Sequence, residues 1–353
     1  MQKGLTQAQL SQSLGMERTM IAKIESGQRK VTALELASLA HELGRRLEWF
    51  VMPRPASVTQ YRSGEPNADV SEIDVVAEQA IADVELLREL GHLDVPHRPT
   101  VAERPTSADA TEILAQRVRT MAGMEAAQPV ADLSVSAWTL GLVAFAEPLD
   151  GGADGASITN DDWGVAIINS THKLGRRRLA LAHELCHFVI GDRYVQDFRI
   201  DQPAAADQHE ARMDRFARAF LMPGDAVQQM WHGLLPHGLR HAAVVMASTF
   251  RVDMSTLAKR LHQDLSLITQ AQADDVRTVR TNRADIIEND LYVPSDLEGV
   301  ALAPDFVRGV LRAYRADDIS ASRALSLLRG TFQASDLPAL APVDEGALWS
   351  LTR

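Results

Sequence analysis

The spacing of apolar residues divides the chain into helical, strand-like and unpatterned stretches. Near the start, Leu10 and Leu14 fall on one helical face, with Thr6 placed to cap the first turn and Gly15 to end the helix. A second short helix is predicted over about 17–26, with Ile21 and Ile24 facing inward and Gly27 as its stop. A third runs from Thr32 to Gly44, and two short helices about a glycine-containing turn make a helix-turn-helix. Residues 54–68, RPASVTQYRSGEPNA, carry no periodicity and read as a linker. Helical spacing returns from Asp69 to Gly91, with Ile73, Val76, Ala80, Val84 and Leu87 on one stripe. The prolines of VPHRPTVAERPTS then mark a boundary before a helix from Ser107 to Met121.

Beyond that helix the pattern changes. WTLGLVAFAE (138–147) and WGVAIIN (163–169) read as strands, separated by the turn-rich DGGADGASITNDD. Helical spacing resumes over about 176–190 and over 209–223, where Phe216, Ala217, Phe220 and Leu221 form a packing stripe. HAAVVMASTFRVDMSTLAKRLHQDLSLI predicts a helix pair around a turn, read as packing, and 301–332 predicts two amphipathic helices, the second opened by Ser320 or Ser322. The fold class expected is mainly α with a small β-sheet (α+β). The expected division is a helix-turn-helix over 1–53, a linker and acidic helix over 54–106, a central domain over 107–270 and a helical region over 271–353.

Composition narrows the class. Apolar residues at 46% and charged residues at 24% are those of a soluble globular protein, and aromatics at 5% leave the core to Leu, Val, Ile and Ala. A single cysteine, Cys186, excludes an internal disulfide and fits a reducing compartment. MQKGLTQAQLSQ is too polar for a signal peptide, and the most apolar window, LSVSAWTLGLVAFAEPL, is too short and too often broken by Ser and Thr to span a bilayer. The expected location is cytoplasmic. The net charge of −11 excludes a nucleic-acid surface along the whole chain, yet residues 1–50 hold seven Lys/Arg against five Glu, leaving −13 on the rest. That polarity permits a DNA-facing N-terminus. The helix over 69–91 carries seven acids against Arg88 alone and reads as a solvated face.

The stretch LALAHELCHFVIGD (179–192) raises the question of chemistry. On a helix His183 and His187 are separated by about 400° of rotation, so both imidazoles point one way, one turn apart. Glu184 lies about 100° from His183, near a metal held there without necessarily binding it. A catalytic zinc takes three protein ligands and keeps one position open. Glu210, on the second helix, is the third candidate, with His209, Asp207 and Asp201 as alternatives. Asp214, one turn beyond Glu210, can fix a ligand histidine's tautomer. Cys186 points away and reads as a small core residue. The metzincin pattern fails, because Ile190 stands at its glycine and Arg193 at its third ligand.

Two family resemblances follow from these residues. L-T-Q-x-x-L-x-x-x-L-G…I-x-x-I-E-x-G, from Leu5 to Gly27, resembles the DNA-binding domains of phage repressors and xenobiotic-response-element regulators. That resemblance implies Arg18, Thr19 and Lys23 as base readers on the second helix and Gln7 as a phosphate contact, with double-stranded DNA as partner. The chain departs from the family in having only Met1 to Gly4 where a first helix is usual, and Glu17 where a capping Ser or Thr is common.

AIIN (166–169), RRRLALAHELCHF (176–188) and HEARMDRFARAFLMP (209–223) resemble the ImmA/IrrE metallopeptidases, over about 107–267. Cys186 replaces the usual glycine, and Arg212 and Met213 a common Glu-Ala. The resemblance implies one Zn2+ per chain, a zincin-like domain, and cleavage of a helix-turn-helix repressor during stress or induction. Glu184 would be the general base, and a strand such as Trp163–Asn169 could offer an open edge to the substrate. The alternative is a DNA-binding regulator whose peptidase-like domain is a sensor or inactive.

Overall fold

A computed structural model of the chain describes residues 6–43, 47–51, 72–99, 104–150, 153–160, 162–191, 203–291 and 296–340. The linker expected over 54–68, together with Met1 to Gly4, Arg193 and Asp201, lies outside the described residues, and of Asp207 only the backbone is described.

The N-terminal helices form where capping and spacing place them. They are α1 (Gln7–Ser13), α2 (Arg18–Glu25) and α3 (Ala33–Glu42), followed by a short α4 (Glu48–Val51). Thr6 closes a capping box on α1: its hydroxyl accepts from the Gln9 amide at 3.2 Å, while the Gln9 side chain accepts from the Thr6 amide at 2.8 Å. Such a cap stabilises a helix by about 1 kcal/mol. Thr32 and Glu35 repeat the device on α3, and Glu35 also accepts from Arg29 at 2.7 Å. Gly15 and Gly27 both take left-handed φ, which lets the chain turn sharply after α1 and α2. Leu10, Ile21 and Leu39 then meet in a small core flanked by Leu14, Met16, Val31 and Leu43.

The remaining helices enclose a sheet. In order they are α5 (Glu72–Glu89), α6 (Ala108–Met121), α7 (Leu133–Thr139), α8 (Leu174–Val189), α9 (Pro203–Leu221), α10 (Gly224–Leu234), α11 (Leu239–Phe250), α12 (Met254–Lys259), α13 (Gln270–Thr278), α14 (Arg283–Glu288), α15 (Pro304–Arg315) and α16 (Ala321–Leu327). The strands are β1 (Leu142–Glu147), β2 (Gly155–Thr159), β3 (Gly164–Asn169) and β4 (Ala301–Leu302), in the spatial order β2-β3-β1-β4. β1 and β3 run parallel, with Leu142 opposite Gly164 and Glu147 opposite Asn169, whereas β2 on β3 and β4 on β1 are antiparallel. The two central strands are buried on both faces, as expected of a sheet covered by helices on each side. Leu142, Ala144, Ala146, Ala166 and Ile168 join the core built with α6, α8, α9 and α11. Val143, Phe145, Val165 and Ile167 join a second core with α5, α15 and α16.

Several expectations change at this level. Trp138 and Thr139 end α7 instead of opening a strand, because Asp132 caps a helical turn by accepting from the Val135 amide at 3.0 Å. The turn-rich 150–162 contains β2, which its glycines and polar residues disguise. Ala301–Leu302 is a strand pairing with β1 ahead of α15, where Pro304 starts the helix. The strand Trp163–Asn169 is interior to the sheet, contrary to the open edge expected there; among the described residues the edge on that side is β2.

The acidic helix α5 is also not a solvated one. Ile73, Ala77, Ala80, Ile81, Val84 and Leu87 are buried in the second core, and Asp83 is fully buried among Arg323 at 3.4 Å and Arg329 at 3.6 Å. Arg329 also pairs with Glu147 at the end of β1, and the Arg88 guanidinium lies 4.9 Å from the ring centre of Trp163. Burying Asp83 is tolerable because two guanidiniums face it; removing both would leave a buried charge without compensation.

Candidate metal centre

The centre is built by two helices that the core forces to face each other. On α8, Leu181, Leu185, Phe188 and Val189 turn into the core, which leaves His183 and His187 on the side toward α9. Gly175 allows the base of this helix to touch the Val252–Asp253 turn, where a β-carbon would stand 2.3 Å from the Asp253 amide nitrogen. On α9, Met213, Phe216, Ala217 and Phe220 are buried, and Glu210 and Asp214 face α8.

Charge pairs lock the rotation of α9. Arg218 donates twice to Asp264, at 2.7 and 3.0 Å, and Arg215 donates to Glu112 at 3.2 Å. Arg260, fully buried, completes the network with two bonds to Glu112, at 2.5 and 2.8 Å. A cavity of about 290 Å³ adjoins this network, lined by Asp109, Glu112, Arg119, Arg215 and Asp264. Its inner charges are already engaged with one another, and Arg119 donates to the carbonyls of Phe220 and Glu125. It is therefore a seam between helices, while the group that could hold a metal lies at the histidines.

There, the Nε2 atoms of His183 and His187 are 3.0 Å apart, and Glu210 Oε2 lies 3.3 Å from the first and 3.8 Å from the second. Donors bound to one tetrahedral zinc at about 2.05 Å would be separated by about 3.3 Å, so the observed spacings bracket that value. The other Glu210 oxygen, Oε1, is buried and has no hydrogen-bond partner among the described residues, a costly state for a carboxylate that serves no ion. His183 turns its Nδ1 to Asp214 Oδ1 at 3.0 Å, which leaves Nε2 for the cluster. Residues and spacing thus fit a divalent cation.

The electrostatics agree. Burial disfavours a charged His183, but its hydrogen bonds to Asp214 and Glu210 and the nearby Glu184 overcome this and push its pKa up to about 10. For Glu210, burial raises the pKa but is outweighed by both histidines, which hold the carboxyl well below its usual range. Asp214 is likewise lowered, with burial opposed by His183. Three negative groups around two imidazoles form a preorganised seat for positive charge.

The other sequence candidates fall as follows. Glu184 accepts a hydrogen bond from the Ser157 hydroxyl at 2.6 Å, a contact across β2 that no sequence signal announced. His209 is buried with its ring centre 5.9 Å from that of His187, outside the donor cluster, and Cys186 is fully buried in the core. In the N-terminal unit Arg18, Thr19 and Lys23 are all exposed on α2, and Thr19 donates to Glu17 at 3.2 Å. Gln7 is half-buried and donates to Glu25 at 2.7 Å, tying the start of α1 to the end of α2.

Comparison with known families agrees with this division. A peptidase family model described as the IrrE N-terminal-like domain matches residues 138–262, and a helix-turn-helix model matches residues 1–50. No curated protein matches the chain. The first span contains β1 to β3, both histidines and Glu210. Residues 138–262 are thus similar to an IrrE N-terminal-like peptidase domain, and residues 1–50 ahead of them to a helix-turn-helix.

Proposed function

We propose that this protein is a zinc-dependent endopeptidase that acts on a helix-turn-helix repressor, and that its own N-terminal unit binds double-stranded DNA. The observation carrying the hydrolase reading is the convergence of His183, His187 and Glu210 on one point, with a buried Glu210 oxygen left over. In this reading the two Nε2 atoms and Glu210 hold the ion, and Asp214 keeps His183 in the ligating tautomer. A bound zinc ion supplies Lewis acidity and makes hydroxide available near neutral pH. Glu184 takes the proton of the attacking water and delivers it to the leaving amine.

Substrate docking falls to β2. Asn169 donates to the Asp154 carbonyl and Asn160 to that of Trp163, which turns the even-numbered residues of β2 toward β3. By alternation, the amides and carbonyls of Gly155, Ser157 and Thr159 point to the open edge. An extended segment added there would lie beside Glu184, its register set by main-chain bonds. DNA binding rests on the exposed Arg18, Thr19 and Lys23 of α2. Among the described residues no helix is long and apolar enough to cross a membrane, and a cytoplasmic location is part of the proposal. A repressor substrate follows from the family resemblance and belongs to the same setting.

The decisive experiment is Glu184→Gln on the zinc-loaded protein, assayed with candidate repressors. Metal content should stay at one ion per chain while cleavage falls by at least about a hundredfold, the low end expected for a lost general base. Undiminished cleavage would remove Glu184 from the chemistry. A wild-type protein that binds no zinc would favour the regulator with an inactive peptidase-like domain.

A further inference from the structure

The edge strand does more than border the site. β2 contacts Glu184 through the Ser157 hydroxyl, which donates to its Oε2 at 2.6 Å, and passes close at Gly155, where a β-carbon would stand 3.4 Å from its Cγ. The tighter approaches of that β-carbon would be to Ile168 Cδ1 at 3.0 Å and the Ile167 carbonyl at 3.3 Å, on the β3 side. Residues 155 and 157 are two apart on a strand and present the same face, toward α8. Ser157 thereby ties down one carboxylate oxygen of Glu184, its Oε2.

From this we infer that Ser157 is a positioning residue on β2 that holds Glu184 in its working orientation. Because the Ser157 main chain faces the open edge while its side chain holds Glu184, one residue links the docked substrate segment to the base. The geometric part stands on the hydrogen bond and the close approach alone; its kinetic consequence rests on the hydrolase reading above.

Both parts are tested with the full zinc-loaded chain. Crystal structures of wild type and Ser157→Ala should show the Glu184 carboxylate in one orientation in the first and displaced or split in the second, with Ser157→Thr restoring it. Hydrolysis of fluorescein-labelled casein or of a helix-turn-helix repressor should fall about tenfold or more in kcat for Ser157→Ala, as for the loss of one hydrogen bond to a charged group. KM should stay within about twofold, because the main-chain contacts of residue 157 survive the substitution. An unmoved carboxylate in Ser157→Ala, or unchanged kcat, would overturn the inference, as would a loss confined to KM. If wild type cleaves neither protein, the hydrolase reading has failed, and the crystallographic comparison still decides whether β2 positions Glu184.

Discussion

Protonation of His183 makes metal binding a measurable function of pH. In the metal-free protein its hydrogen bonds to Asp214 and Glu210 hold the pKa at about 10 in spite of burial. A ligating imidazole must be neutral, so an incoming cation has to displace that proton. At pH 7, about three units below the pKa, the displacement costs about 4 kcal/mol at about 1.4 kcal/mol per unit. The apparent dissociation constant for Zn2+ should therefore fall about tenfold per pH unit between pH 7 and 9, about a hundredfold over the window. Competition against a chelator of known protonation behaviour measures this directly. Calorimetry in buffers of different ionisation enthalpy should count close to one proton released. Asp214→Asn should flatten the slope by removing the partner that favours the charged ring. The same change should weaken binding at pH 9 by roughly 10- to 100-fold, since the ring loses its support. A pH-independent affinity, with no proton released, would refute the assignment of His183 as a protonated ligand held by Asp214.

Other outcomes follow from the same coordinates. Because the folded pKa of His183 is raised, its contribution to the metal-free protein is fully present below about pH 6.5 and lost as pH rises through about 10. Thermal melting in excess chelator should show a falling Tm across that interval, and a rising Tm would contradict it. Gly175→Ala would drive a methyl group into the Val252–Asp253 backbone, so urea unfolding should show a loss of at least about 2 kcal/mol; an unchanged midpoint would mean that α8 is not docked there. Arg18→Ala and Lys23→Ala remove exposed side chains, so folding should survive while each costs about 1–3 kcal/mol of duplex binding, with reduced salt sensitivity for whichever contacts phosphate. Equal affinity of the double variant at every salt concentration would exclude α2 as the DNA-facing helix.

Local patterns carried much of this protein. The capping boxes at Thr6 and Thr32, the left-handed glycines at 15 and 27, and the one-turn spacing of His183 and His187 are interactions within a few residues, so the linear order contains them. The placement of Asp214 one turn beyond Glu210 was legible for the same reason. Anything set by long-range pairing was not. β2 lies in a Gly- and Asp-rich stretch whose strand character comes from its partner β3, and the burial of Asp83 depends on arginines about 240 residues away. The contact of Ser157 with Glu184 exists only because β2 happens to cross the helix that carries His183, Glu184 and His187. Helical periodicity says which side chains share a face, but only the sheet between the helices, and the charge network around Asp264, decides which face meets which. For that reason the chain alone nominated the candidate metal-binding groups, whereas the strand that meets Glu184, with its proposed docking edge, emerged from tertiary packing.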